Sequence, residues 1–287
     1  MIAIFKKELK SYFTSFIGYI FLVFFFLTIS FNFYGITVQG GSGLFTYTLH
    51  SSTIIFLILI PTLTMRLFSD EKKNKTDQLL YTSPIKVSDI VIGKYLSAVA
   101  LFLIGFLIVS MYPLLIYTKG SLNVNETLGS MFGYVLLISS FIAVGIFISS
   151  LSDNQMASAI GTFGVLFAIY MTETIASVLP QDNYRTFMTF LILALFIAVY
   201  TFSAYRNIYL SAIVLIFLCG LNIFIYSVNV TFYDQLLFKM VTWFSLIGRF
   251  SYFTVGIFSL SNIVFYISFI FALLYLTVHT IEKRRWT

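Results

Sequence analysis

Charge is the scarcest commodity in this chain. Only 10% of its 287 residues are Asp, Glu, Lys or Arg, against about 25% in a typical soluble domain. So little charge cannot dress a water-facing globule, and the mean hydropathy of +0.96 points the same way. The chain therefore reads as a polytopic membrane protein. Cysteine is nearly absent too. Cys219 stands alone in an apolar run, which excludes an intrachain disulfide and a thiolate metal site and leaves a small buried hydrophobe. The two histidines, His50 and His279, are far apart, and no H-E-x-x-H occurs. No P-loop is present either. Gly93-Lys94 has no glycine at the right distance before it, and Tyr95 stands where Ser or Thr is required. A G-x-S-x-G elbow and a pair of carboxylates at catalytic spacing inside a span are also missing, so nothing marks an enzyme. The longest polar stretches are too short to bury a core of their own.

What is present is long apolar sequence rich in Phe (34) and Tyr (19), residues that serve in lipid as packing and interfacial anchors. Eight segments near spanning length follow one another: 16–37, 49–68, 95–117, 129–151, 157–179, 187–204, 208–228 and 261–281. Before them, residues 1–15 place Phe5, Leu9, Tyr12 and Phe13 at helical spacing among Lys6, Lys7 and Lys10. That pattern predicts an amphipathic helix lying in the membrane interface. The net charge of +6 does not mark a nucleic-acid partner, because the basic residues flank apolar segments. With the N-terminus placed in the cytoplasm, 13 Lys and Arg fall inside and four (Lys119, Arg185, Lys239, Arg249) fall outside. The positive-inside rule then puts both termini in the cytoplasm. Residues 229–260, aromatic but carrying Asp234, Lys239 and Arg249, are expected outside as one or two short interfacial or re-entrant helices, with Trp243 and Tyr252 at headgroup depth. The expected fold is an all-α integral membrane bundle of about eight transmembrane helices in one domain, residues 1–287.

Polar residues inside the spans are few. Glu173 lies near the outer end of the fifth span, either on a substrate path or dimer interface or as a carboxylate in contact with water. A carboxylate at mid-span would cost roughly 2.5–3.5 kcal/mol on insertion scales. Asn222, in the seventh span, fits an interhelical hydrogen bond better than a ligand. Gly129-x-x-x-Gly133, Gly161 and Gly164 allow close helix approach.

The longest polar interruption is Met65 to Ser97, with Arg66, Asp70, Glu71, Lys72, Lys73 and Lys75 leading into it. Thr76 can start a helix through D-Q-L-L-Y, Ser83-Pro84 breaks it, and I-K-V-S-D-I-V-I-G-K forms a second short helix ending near Gly93. Ordered apolar residues punctuated helix–Pro–helix fit a cytoplasmic docking element over 69–94.

In this loop Arg66, Glu71, Thr76, Leu79-Leu80, Ser83-Pro84-Ile85 and Gly93-Lys94 occur in the order found in ABC-2 type transporter permeases, which the chain resembles. It departs from that pattern at Lys75, where the family prefers Gly. Toward the C-terminus, Arg249-Phe250, Phe253, Gly256-Ile257 and Glu282-Lys283-Arg284-Arg285-Trp286 are similar to the gliding-motility and copper-enzyme-maturation branch. The common family core has six spans, so about 185–228 would be an added pair.

The resemblance implies a bacterial plasma-membrane permease subunit of an ATP-driven exporter, without ATPase activity of its own. It implies a homodimer or heterodimer with a second permease chain, set in membrane lipid and bound to two copies of a separate ABC ATPase. ATP and Mg would sit on that ATPase, and no cofactor on this chain. The coupling helix would be about Pro84–Gly93. Ile85 and Ile90, with Val87, would fill the ATPase cleft, and Lys86, Asp89 and Lys94 would make polar contacts. Arg66, Asp70, Glu71 and Thr76 would link loop to span. Two readings from other classes stay open: an ion-coupled secondary transporter or channel, and a non-transporting mechanical or signalling component driven by an ABC ATPase.

Overall fold

The computed structural model describes residues 1–40, 45–76, 85–119 and 122–286. Among them there is no strand. The helices are α1 (Ile2–Thr14), α2 (Phe16–Asn32, continued by a π-helical turn Phe33–Gln39), α3 (Phe45–Ser52), α4 (Phe56–Thr64), α5 (Ser69–Lys73), α6 (Val87–Val109) and α7 (Tyr112–Lys119). They continue with α8 (Val124–Leu151), α9 (Gln155–Tyr170), α10 (Thr172–Val178), α11 (Asn183–Tyr205), α12 (Ile208–Val228), α13 (Leu236–Trp243), α14 (Leu246–Thr254) and α15 (Leu260–Trp286). Among the described residues seven stretches are long and apolar enough to cross a membrane, or eight if α9 and α10 form one bent span. The protein is a multi-spanning helical membrane bundle, as its hydropathy pattern foretold, and the stretch 183–205 is long and apolar enough to cross.

The chain divides into two compact units, Met1–Tyr170 with Leu246–Thr287, and Met171–Ser245. In the first, α8 is the hub, packed by α3, α4, α6, α9, α14 and α15. Its small residues explain this, since helices in lipid associate by close backbone approach rather than by a hydrophobic drive. A Cβ on Gly133 would lie 2.7 Å from the Phe253 side chain, and one on Gly129 2.8 Å from the Phe253 carbonyl oxygen. The Gly129-x-x-x-Gly133 pair is thus the seat of α14. Gly164 is different: nothing in this chain comes within 4 Å of the Cβ it lacks. Deeper in, Phe25, Phe56, Phe102, Phe106, Tyr134 and Phe250 interlock, with neighbouring ring centroids 5.4 to 6.2 Å apart, a spacing at which edge and offset contacts are favourable.

The second unit is built on the α11–α12 hairpin. Arg206 takes the left-handed conformation (φ 49°) that ends α11, and the Asn207 side chain accepts from the backbone N–H groups of Tyr209 and Leu210 to start α12. Asn222 is buried. Its Nδ2 donates to the Phe187 carbonyl at 3.3 Å, and the Tyr233 hydroxyl donates to its Oδ1. Residues 229–260 do contain short helices, a 3₁₀ turn Val230–Tyr233 followed by α13 and α14, with Trp243 and Tyr252 exposed.

One local expectation changes. The second short helix of the loop does not end near Gly93. It is the first two turns of α6, which runs unbroken to Val109. Gly93 serves close approach instead of a stop. A Cβ there would meet Ile4 and the Met1 carbonyl at 3.2 Å, so this is where α1 crosses α6. α1 has a buried side as well as an exposed one. Ile4, Glu8 and Tyr12, four residues apart and hence on one side of the helix, turn inward. The Tyr12 hydroxyl donates to the Leu63 carbonyl at 3.3 Å. At the elbow, Ser15 is extended and Gly18 sits so close under Tyr12 that a Cβ would lie 2.9 Å from its carbonyl carbon.

Candidate functional site

Charged side chains gather in the first unit where α1, α5 and the start of α6 meet. Lys94 is the centre. It lies on the second turn of α6 and is 1% exposed, while the (CH₂)₄ stem leads its ammonium to three acceptors. These are Glu8 Oε1 at 3.1 Å, Glu71 Oε1 at 2.9 Å and the Leu67 carbonyl at 2.6 Å. An ammonium has three N–H bonds, so the number of acceptors matches the number of donors. The Phe68 ring faces the same nitrogen at 5.1 Å, adding a cation–π contact. Lys7 stands 3.7 Å from Glu71 and 3.8 Å from Glu8, so two cations balance two carboxylates. A charge this deeply buried is tolerable only when paired and hydrogen-bonded.

A second set of contacts holds the loop to α8 and α9. Ser149 Oγ accepts from the backbone N–H of Phe68 at 3.2 Å and of Ser69 at 3.4 Å, satisfying donors at the start of α5. Asp70 accepts from Gln155 Nε2 at 2.6 Å and pairs with Arg66 at 3.4 Å. Lys72 donates to the Ser150 carbonyl and lies 3.8 Å from Asp153. Arg284, near the end of α15, donates to Asp153 at 2.8 Å and to the Leu151 carbonyl at 3.1 Å. The Arg284 hydrogen bond holds the Asp153 carboxyl below its ordinary range, and burial raises the Tyr12 hydroxyl well above its own. α5 closes on Lys75, which adopts φ 56°. The N–H of Thr76 returns to the Glu71 carbonyl at 2.9 Å and that of Lys75 to the Lys72 carbonyl at 3.1 Å. This is a Schellman end, whose left-handed residue is usually glycine.

Arg66, Asp70 and Glu71 are therefore brought together at the loop-to-span joint, and Thr76 completes the turn that follows. Of the residues expected to meet an ATPase, Lys86 is exposed and Ile85 and Asp89 are half-buried, while Val87 (3%) and Ile90 (2%) are packed inside. Lys94 is inside as well. Pro84, and the helix expected from Thr76 through 81, fall on residues 77–84, outside the described residues. Glu173 is exposed in the first turn of α10, and Asn222 joins α12 to α11. Sequence reasoning missed Glu8. The available signal was a carboxylate on the Ile4–Tyr12 stripe of an otherwise basic helix.

Among the described residues no three of His, Cys, Asp and Glu come together as a metal ligand set. Bundle and junction together define a multi-spanning membrane protein whose N-terminal helix and first long loop are locked to its third span. Residues 2–208 match the family described as ABC-2 family transporter protein, and the chain belongs to that family. The match shows the family and does not support the gliding-motility and copper-enzyme-maturation branch. No protein of curated function and no solved structure matches the chain.

Proposed function

We propose that the chain is the permease subunit of an ATP-driven ABC-2 exporter, coupling hydrolysis on a separate ATPase to movement of a substrate through the membrane. The observation that carries this reading beyond the family is the Lys94 junction. One buried ammonium ties α1, the loop after the second membrane-crossing stretch and the first turns of the third. A push on that loop reaches α6 through a charge pair in a low-dielectric setting, which resists slippage better than an exposed contact does. The docking face would then be Ile85, Lys86 and Asp89 with the adjoining 77–84. Val87, Ile90 and Lys94 hold the face in place from behind. ATP and Mg belong to the ATPase, two copies of which would serve a permease dimer, with both termini in the cytoplasm of a bacterial cell.

Co-purification tests it. Tagged chain is expressed in its native host, solubilised gently and probed for a P-loop ATPase. Lys86→Glu and Asp89→Arg should lose the ATPase while keeping the thermal midpoint of the isolated chain. Absence of any ATPase from the wild type under several mild conditions, or full retention by both variants, would refute the reading.

A further inference from the structure

Beside the Lys94 junction lies a cavity of about 180 Å³. Its walls come from α1, the elbow at Ser15, the start of α2 at Ile17 and the segment from Leu63 to Glu71. Three acids (Glu8, Asp70, Glu71) and three bases (Lys7, Arg66, Lys94) line it, so its formal charge is zero. The six are not equally occupied. Lys94 has an acceptor for each of its N–H bonds. Arg66, with five donors, makes one hydrogen bond among the described residues, to Asp70 at 3.4 Å. Lys7 is 65% exposed and no closer than 3.7 Å to a carboxylate. Glu8 and Glu71 meet Lys94 through Oε1, which leaves Oε2 of each available to a second donor.

The cavity thus offers spare donors at its mouth and spare acceptors on its floor. An anion alone would leave the site net negative, and a cation alone net positive. A ligand carrying both charges keeps the balance. Carboxylate oxygens call for N–H donors, which a primary ammonium has and a quaternary one lacks. Ile17 opens the first membrane-crossing stretch, and Leu63 precedes the charged end of the second, where Arg66, Asp70 and Glu71 stand, so the cavity lies at headgroup depth with an apolar wall leading toward the hydrocarbon. Its volume equals about six waters, room for a headgroup and not for a whole lipid.

We infer that this cavity binds the phosphate–ammonium headgroup of a phosphatidylethanolamine-type lipid, the phosphate between Lys7 and Arg66 and the ammonium toward Glu8 and Glu71. The bound lipid pins the α1–α2 elbow to the end of α4. The inference rests on the membrane-spanning fold and not on the ATPase partner.

The experiment uses the full chain, purified and stripped of lipid in neutral detergent. It is titrated with phosphatidylethanolamine, phosphatidylcholine, phosphatidylglycerol and water-soluble glycerophosphoethanolamine, with bound mass read by native mass spectrometry. Phosphatidylethanolamine should bind about tenfold more tightly than the other two lipids, the equivalent of one charge-assisted hydrogen bond. Arg66→Gln and Lys7→Gln should each weaken all three lipids several-fold, because both face the shared phosphate, and Glu8→Gln should erase most of the preference for the primary ammonium. Lys7 is exposed, so its variant tests the site even if Arg66→Gln fails to fold. Equal binding of the three lipids by the wild type, or an affinity unchanged in Lys7→Gln, would overturn the site. Soluble headgroup binding as tightly as the lipid would overturn the lipid as its source.

Discussion

Lys94→Met is the sharpest perturbation of the junction. Methionine keeps most of the stem and fills much of the same space, so packing on Phe68 and α1 changes little. What disappears is the charge. Glu8 and Glu71, with side chains only 12% and 15% exposed, would then face each other without their central cation, and the Leu67 carbonyl would lose its donor. Removing one partner of a buried ion pair costs roughly 3–5 kcal/mol. For a chain of this size that is a fall of roughly 6–20 °C in thermal midpoint. Tryptophan or dye fluorescence of the detergent-purified chain measures it. A rescue separates electrostatics from packing: adding Glu8→Gln and Glu71→Gln to Lys94→Met removes both orphaned charges and should restore at least half of the loss. The two-residue cycle between Lys94→Met and Glu8→Gln should show roughly 0.5–3 kcal/mol of coupling. A midpoint for Lys94→Met within about 2 °C of wild type, less than 1 kcal/mol by the same conversion, would refute the argument. So would additivity with Glu8→Gln.

Lys75→Gly should stabilise the chain by about 1 kcal/mol, because the left-handed conformation at φ 56° strains any residue with a Cβ; a lower midpoint would contradict the Schellman end. Gly133→Ala should cost roughly 1–3 kcal/mol by driving Phe253 off α8. Gly164→Ala, with open space around it, should be neutral or slightly stabilising through helix propensity, and the pair of midpoints checks both. The Asp153–Arg284 tie follows the sign of its shift. With the folded carboxyl held below 3.8, the contribution is present above that value and lost as pH falls through the lower folded one. Asp153 is 75% exposed, so the effect is small and screened by salt. Amide protection factors at the end of α15, which correct for the intrinsic pH dependence of exchange, should fall at acid pH in wild type and stay level in Asp153→Asn.

Hydropathy alone made the spans legible, because a lipid-crossing helix must be apolar over a fixed length. The spacing Gly129-x-x-x-Gly133 foretold close packing, though not that its occupant would be Phe253, more than a hundred residues on. The preference for Gly at position 75 in the resembling loop pattern has its reason in the left-handed turn there. Less legible was the junction. Glu8 and Lys94 are 86 positions apart, and nothing local in either stretch names the other. Gly93 misled for a physical reason. A glycine ahead of a lysine fits a helix end as well as a crossing point, and only the presence of Ile4 against it decides between them.

The Lys94 junction also sets an order of assembly. Glu8 leaves the ribosome 86 residues before its partner, a delay on the order of ten seconds at about 5–20 residues per second. During that interval Glu8 has only the exposed Lys7 of its own helix beside it. α1 therefore rests on the membrane surface as a loose basic helix, and it docks only after the third membrane-crossing stretch has delivered Lys94. A nascent chain arrested before residue 94 should leave α1 open to protease, and one arrested well beyond it should not. The N-terminal helix is thus among the first elements made and among the last to find its place.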